Sequence, residues 1–179
     1  MQKRTAFLLC GVLMLSVMAV AQMGGQKQRP SPGENAQCKF ADGKSIKVAY
    51  SSPRAKGRKI YGGLVPYGEP WRTGANEATT FVSDANLTIG GKDVPAGNYT
   101  IFTIPAQDSW TLIINKHTGE WGIPYKYESE ELARVPMKVS PSQGPVENFT
   151  IAFDQSGDAC TMHLSWENTD ASTTISEKR

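Results

Sequence analysis

The sequence predicts an all-β protein, an antiparallel β-sandwich of about eight strands over residues 36–176. Short segments alternate apolar and polar side chains, as strands with one buried face do. Gly, Pro, Asn and Asp residues separate these segments at the short intervals typical of a sandwich. Helical periodicity is nearly absent: only residues 127–132 (YESEEL) predict a helical turn or two, and Pro124 and Pro136 bracket them.

The individual strands follow from this alternation. In the segment 45–50, Ile46, Val48 and Tyr50 share one face. Two short segments, 87–89 and 92–94, flank a Gly-Gly pair and predict a hairpin, because glycine accepts the positive φ angles of a primed turn. Further strands are predicted at 98–104, 110–115, 134–139, 146–153, 159–166 and 172–175.

The N-terminus carries the features of a signal peptide over residues 1–21. Lys3 and Arg4 precede an uncharged apolar run that ends in the small-residue pattern Ala19-Val20-Ala21. We expect cleavage after Ala21 rather than a retained anchor, because the run is shorter than the ~20 apolar residues of a spanning helix. The protein is therefore predicted to be periplasmic or secreted, with no stable membrane insertion after cleavage.

The segments that flank the predicted domain are expected to be less ordered. Residues 22–35 combine Gly, Pro, Gln and charge without apolar periodicity, which predicts a flexible linker. Residues 177–179 are assigned to a C-terminal tail. No internal repeat suggests a second domain.

The charge balance argues against a nucleic-acid partner. The chain contains 19 Lys and Arg residues and 17 Asp and Glu residues. Removal of Lys3 and Arg4 with the signal peptide leaves equal numbers of the two signs. A nucleic-acid binder normally presents a basic excess to the phosphates.

Two cysteines, Cys38 and Cys160, remain after cleavage in a compartment where disulfides persist. Cys160 shares the apolar face of its strand with Leu164, and Cys38 alternates in phase with Phe40. Both side chains should therefore point into the same core. We predict a disulfide between them, and two buried free thiols are the alternative.

Motifs for metal or cofactor chemistry are missing from the sequence. The histidines, His117 and His163, do not occur at zinc-ligand spacing with each other or with the cysteines. Motifs of serine hydrolases, P-loops and dinucleotide-binding folds are also absent. We therefore predict no metal and no cofactor. A hydrolase acting on a glycan or muropeptide stays open as an alternative, with Glu69 or Glu77 as the carboxylate and Arg72 as its electrostatic partner.

Residues 57–79 read GRKIYGGLVPYGEPWRTGANEAT, a long and particular stretch. This stretch resembles the exported bacterial family known as domain of unknown function 2911. The resemblance extends to residues 87–92, 94–100, 111–116, 118–122 and 145–151. It covers about residues 36–176 and implies an exported β-sandwich-like domain, with no established activity.

The same stretch, residues 57–79, is the candidate ligand-binding loop. Its aromatic rings offer flat apolar surfaces, and its Arg and Asn side chains offer donors of fixed geometry, which suits a sugar ring or a carboxylate. We expect a carbohydrate or peptide of the bacterial envelope as the ligand. The candidate ligand-binding residues are Arg58, Tyr67, Trp71, Arg72, Asn76 and Glu77.

Two interpretations of this loop compete. In the first, Trp71 is a fixed anchor, Arg72 and Asn76 flank one site, and Glu77 orients the guanidinium by a charge-assisted hydrogen bond. In the second, Trp71 and Tyr67 fill the core while Arg72 and Asn76 bond to loop carbonyls. The second interpretation corresponds to a structural envelope module without a ligand.

Overall fold

The computed structural model describes residues 29–178 and confirms the all-β prediction. The described residues contain nine strands and no α-helix, and a single 3-10 turn, Glu128–Glu130, occurs where the helical turn was predicted. The strands are β1 (Gly33–Lys39), β2 (Ser45–Ser51), β3 (Thr79–Ser83), β4 (Leu87–Ile89), β5 (Lys92–Val94), β6 (Gly97–Pro105), β7 (Ser109–Asn115), β8 (Glu131–Ser156) and β9 (Ala159–Glu177). The predicted signal peptide, residues 1–21, lies outside the described residues.

The strand boundaries differ from the prediction at both ends of the domain. Strand β1 begins at Gly33, inside the segment assigned to the linker, and β9 ends at Glu177, inside the segment assigned to the tail. Strand β3 was not predicted, because its five residues directly follow the long Gly-rich and Pro-rich connection. Residues 22–28 of the predicted linker lie outside the described part of the chain.

All nine strands belong to one open antiparallel sheet in the order β1-β2-β3-β6-β7-β8-β9-β4-β5. The sheet folds over on itself, since strands far apart in this order are in contact. Tyr50 of β2 packs edge-on against Phe149 of β8 at 5.7 Å between ring centroids. The two layers expected of a sandwich are thus parts of one continuous sheet.

The long hairpin of β8 and β9 makes this folding possible. The first part of β8 pairs with β7, and the part from Lys138 onward pairs with β9. The β8–β9 register shifts between Pro141 and Val146 and again before Thr150. Such irregularities bend a strand and increase its twist. Segments predicted as separate strands are therefore continuous strands that bend around the core.

The Gly-Gly hairpin forms as predicted between β4 and β5. Gly90 and Gly91 have φ angles of 52° and 79°, the left-handed region that glycine adopts without a steric penalty. A Cβ atom at Gly90 would also lie only 2.3 Å from Cγ1 of Val135. Both the positive φ angle and the lack of room for a Cβ atom therefore require glycine at position 90.

The predicted disulfide between Cys38 and Cys160 is confirmed. It joins β1 to β9, closes a separation of 122 residues, and has a Cα–Cα distance of 6.3 Å. Both cysteines are buried, as the alternation of their strands indicated. The bond thus connects two strands that are not neighbours in the sheet.

Candidate ligand-binding site

The connection between β2 and β3, residues 52–78, is an ordered loop that is fastened to the sheet. Trp71 pairs with Thr103 of β6 through two backbone hydrogen bonds, of 2.7 and 2.8 Å. Nearer its start, the amide of Ala55 donates to the carbonyl of Glu147 of β8 at 2.8 Å. Backbone bonds to two strands therefore set the path of this connection.

Trp71 is the buried anchor of the connection, and only 9% of the residue is exposed. Its ring stacks on Trp166 at 5.9 Å and contacts Phe149 edge-on at 4.9 Å. The indole Nε1 donates to the carbonyl of Gly74 at 3.0 Å. The expectation that Trp71 anchors the loop is consistent with this placement.

A cleft of about 780 Å³ opens beside Trp71, between the β2–β3 connection and the β7–β8 connection (residues 116–130). Trp71 and Trp166 form part of its wall. The charged side chains that line it are Arg58, Arg72 and Glu69. Its aliphatic and proline lining comes from Pro53, Leu64, Val65, Pro66, Pro70, Ala75, Ile123 and Pro124. The cleft is thus mostly apolar with a few charged groups, as small-ligand sites commonly are.

Of the six candidate residues, three line the cleft: Arg58, Trp71 and Arg72. Arg58 directs its donors toward the loop itself, with Nε bonded to the Ala55 carbonyl at 3.0 Å and Nη2 to the Arg54 carbonyl at 2.6 Å. Tyr67 is 41% exposed and is not part of the cleft lining, so the interpretation in which it fills the core is wrong. Its ring covers the backbone of Gly62.

Asn76 and Glu77 bind Ser31 and Arg29, near the first described residue, and are not part of the cleft lining. Nδ2 of Asn76 donates to the Ser31 carbonyl at 3.0 Å. Nη1 of Arg29 donates to both carboxylate oxygens of Glu77, at 2.8 and 2.7 Å, and this contact lowers the pKa of Glu77. Within residues 29–178, the expected hydrogen bond from Arg72 to Glu77 is therefore wrong, because Arg29 is the donor.

Arg72 is paired with an aromatic ring from the other connection. Its guanidinium carbon lies 5.1 Å from the ring centroid of Trp121, and Nη1 donates to the Trp121 carbonyl at 3.5 Å. Burial lowers the pKa of Arg72, and the charge of Glu77 opposes this effect. The guanidinium is therefore partly desolvated at the edge of an apolar cleft.

The contact between the two connections depends on Gly122. Its φ is +86°, and a Cβ atom there would lie 2.8 Å from Cβ of Ala78 and 3.1 Å from Cβ of Arg72. Glycine therefore allows the segment with Trp121 to lie directly against the backbone that carries Arg72.

Tyr125 is held in the cleft wall by a polar network. Its hydroxyl donates to Oε1 of Glu131 at 2.5 Å and accepts from Nδ2 of Asn115 at 3.2 Å. Arg134 in turn donates to Oε2 of Glu131 at 2.7 Å. Burial, and then the bond to Glu131, raise the pKa of the Tyr125 phenol. The phenol thus stays protonated and its orientation is fixed.

Sequence reasoning missed the cleft residues Ile123 and Tyr125, which lie outside 57–79, and Trp121, which contacts the cleft residue Arg72. A signal was present: Trp121 and Ile123 lie in a segment with Gly119, Gly122 and Pro124, outside every predicted strand. Trp121 is 55% exposed and Ile123 is 47% exposed. Exposed large apolar side chains that cluster at one place are typical of binding surfaces.

The buried hydroxyl of Tyr61 has no hydrogen-bond partner, and burial raises the pKa of this phenol far above its usual value. Its ring packs edge-on against Trp110 at 4.8 Å. An unsatisfied buried hydroxyl costs about 1–3 kcal/mol. We therefore expect Tyr61→Phe to keep or raise the free energy of unfolding, measured by urea denaturation.

Tyr50→Phe is the matched control for this prediction. The hydroxyl of Tyr50 accepts a hydrogen bond from the buried amide of Ile151 at 3.1 Å. Its loss leaves that amide without a partner, so we expect destabilisation of about 1–3 kcal/mol. Equal destabilisation by both substitutions would contradict the assignment of Tyr61 as an unsatisfied group.

Two further features are absent from the described residues. Among residues 29–178, no group of three or more His, Cys, Asp or Glu side chains is placed to hold a metal ion. No helix in this part of the chain is long and apolar enough to cross a membrane.

Fold and site together define an all-β domain with an apolar cleft between two long connections of one folded sheet. The chain belongs to the DUF2911 family, described as a protein of unknown function, whose model matches residues 31–175. This match confirms the resemblance that residues 57–79 indicated. No curated protein and no solved structure matches the chain.

Proposed function

We propose that the protein is an exported binding protein that holds a peptide of the bacterial envelope in the cleft beside Trp71. One observation carries this proposal. The large exposed hydrophobic residues of the described chain are Leu64, Tyr67, Trp121 and Ile123, and all four belong to the two connections that form the cleft. Two of them, Leu64 and Ile123, line the cleft itself, and exposed apolar surface at a concave site favours ligand binding over a purely structural role.

The lining favours a peptide with apolar side chains. Leu64, Ile123 and Pro124 offer aliphatic surface, and the wall at Tyr125 is rigid. A carbohydrate is the second candidate, because the exposed rings of Tyr67 and Trp121 could stack on a sugar. Peptide and carbohydrate ligands are separable by experiment.

A hydrolase is less well supported by the same residues. Glycoside hydrolysis generally requires two carboxyl groups on either side of the scissile bond. Glu69 is the single carboxylate of the cleft lining within the described residues, and Glu77 is engaged by Arg29. Binding without turnover is therefore the function that we propose.

The proposal is tested by titrating the full mature chain with three probes: muramidase fragments of peptidoglycan, their free stem peptides, and glycan chains without peptide. Tryptophan fluorescence reports on the cleft, because Trp71 and Trp166 form part of its wall and the exposed Trp121 lies beside the cleft residue Arg72. A bound ligand should shift the tryptophan fluorescence to shorter wavelength. We expect the fragments and free peptides to bind and the bare glycan not to bind.

Two variants connect the binding to the cleft. Leu64→Asp and Ile123→Asp replace exposed residues, so we expect an unchanged melting temperature and at least about tenfold weaker binding, because a charge opposes burial of an apolar ligand. Thr174→Asp on β9, also exposed, is the control and should bind as the wild type does. No binding of any probe by the wild type would overturn the proposal, and binding of bare glycan alone would favour the carbohydrate candidate.

The proposed export is tested separately, through cleavage of the signal peptide. We expect the mature protein to begin at Gln22 and to be released by osmotic shock or into the medium, since Ala19-Val20-Ala21 fits the signal-peptidase pattern. The disulfide between Cys38 and Cys160 is compatible with an oxidising compartment. Mass spectrometry of the purified protein reads the N-terminus directly, and an intact N-terminus beginning at Met1 would contradict cleavage.

A further inference from the structure

Arg72 is the described arginine with the fewest strong contacts. Arg29 is bonded to Glu77, and Arg134 to Glu128 and Glu131, as ion pairs. Arg54 and Arg58 donate to oxygens of their own loop at 2.6 to 3.1 Å. The guanidinium of Arg72 makes one 3.5 Å hydrogen bond, although this group carries five N–H donors. Most of its donors are therefore available to a ligand.

The surroundings of Arg72 make an anionic partner favourable. Its side chain is partly buried at the edge of the cleft, where desolvation already disfavours the charge. The nearby carboxylate of Glu77 is engaged by Arg29 and forms no ion pair with Arg72 among the described residues. A carboxylate brought by the ligand would supply the close ion pair that no carboxylate of the described residues forms with Arg72.

The orientation of the guanidinium is restricted before any ligand arrives. The ring of Trp121 lies 5.1 Å from the guanidinium carbon, and the close packing at Gly122 places the backbone next to Trp121 against the loop that carries Arg72. A planar guanidinium that is held in this way can bind a carboxylate through two parallel hydrogen bonds. The apolar side chains of Leu64, Ile123 and Pro124 line the same cleft.

We propose that the cleft recognises the C-terminal carboxylate of a peptide, which Arg72 binds beside Trp121, while the last side chain, an apolar one, packs on Leu64, Ile123 and Pro124. This inference rests on the proposed peptide-binding function and adds the end of the peptide that is read. Capture of a terminal carboxylate is one of the established ways in which proteins read peptides.

The test uses acetylated tripeptides that end in Ala, Val, Leu, Ile or Phe, each as the free acid and as the C-terminal amide, measured by calorimetry on the full mature chain. We expect the acid of the best member to bind at least about tenfold more tightly than its amide, as hydrogen bonds to a charged group imply. A third form, the amide with Asp at the middle position, tests whether any carboxylate suffices.

Arg72→Gln should reduce the ratio of acid to amide affinity to near one and leave the affinity for the amide largely unchanged. A purely structural role of Arg72 would weaken both forms equally. If Arg72→Gln lowers the melting temperature strongly, Arg72→Lys serves instead and should give an intermediate ratio, because an ammonium group lacks the planar two-point contact. Lys92→Gln, at the exposed first residue of β5, changes the net charge equally and should retain the wild-type ratio.

The outcomes separate this inference from the proposed function. Equal affinity of the wild type for acid and amide, or an unchanged ratio in Arg72→Gln, would overturn the carboxylate assignment and leave peptide binding intact. Equal binding of the Asp-containing amide would overturn the assignment to the chain terminus. Binding of peptidoglycan fragments but of no tripeptide would also overturn it, whereas binding of no probe at all would overturn the proposed function as well.

Discussion

Replacing Trp71 with alanine is expected to lower the free energy of unfolding by about 3–5 kcal/mol, the usual loss for a buried large aromatic side chain. The indole contacts Trp166, Phe149 and Tyr61 in the core, so its removal leaves a cavity among rings that cannot all close on it. It also removes the hydrogen bond from Nε1 to the Gly74 carbonyl. Thermal and urea denaturation measure the effect.

Trp121→Ala is the matched control, since it removes the same side chain from a position that is 55% exposed. We expect it to change the free energy of unfolding by about 0.5 kcal/mol or less, as surface substitutions usually do. Peptide binding should nevertheless weaken, because Trp121 positions Arg72. A similar loss of stability in the two variants would contradict the distinction between Trp71 as core anchor and Trp121 as the exposed partner of Arg72.

Loss of the disulfide between Cys38 and Cys160 is expected to destabilise the protein by about 4–5 kcal/mol, because it closes a separation of 122 residues. In the chain-entropy model, a long closed loop restricts the unfolded chain more than a short one does. The bond also joins β1, at one edge of the sheet, to β9, which is far away in the strand order. We expect the melting temperature of the reduced protein to fall by about 10 °C or more.

The double substitution of both cysteines by alanine provides the comparison for the reduced protein. Alanine avoids the unpaired hydroxyl that serine would introduce at two buried positions. The double variant and the reduced wild type should melt at similar temperatures, and reducing agent should not change the variant further. An oxidised wild type that melts together with the double variant would show that the bond does not stabilise the fold.

These expectations assign different roles to neighbouring residues of one loop. Trp71 supplies stability, and Arg72, the next residue, is directed toward the cleft and Trp121. Asn76 and Glu77 fasten residues 29–32 onto the same loop. A substitution within this short stretch should therefore affect either stability or binding according to the partner that it removes.

The sequence by itself determined the features that depend on local periodicity. Apolar alternation predicted most strands, because a one-residue change of register would turn the apolar face to solvent. The Gly-Gly pair predicted the β4–β5 hairpin, because glycine accepts the positive φ angles of the turn. The phase of Cys38 and Cys160 within their strands predicted their pairing, since both side chains must enter one core. Trp71 as an anchor was also predictable, as a large aromatic residue within a Gly-rich and Pro-rich segment.

Only the tertiary structure decided which side chains meet at the cleft. The β2–β3 connection has no periodicity, so its sequence does not indicate whether Tyr67 points to the core or to solvent. Arg72 meets Trp121, 49 positions away in the chain, and Glu77 is paired with Arg29, 48 positions away. Such pairings depend on how the folded sheet brings two connections together, which no local pattern encodes. Alternation along a strand specifies a buried face, whereas the direction of a loop side chain depends on the particular neighbours that the fold supplies.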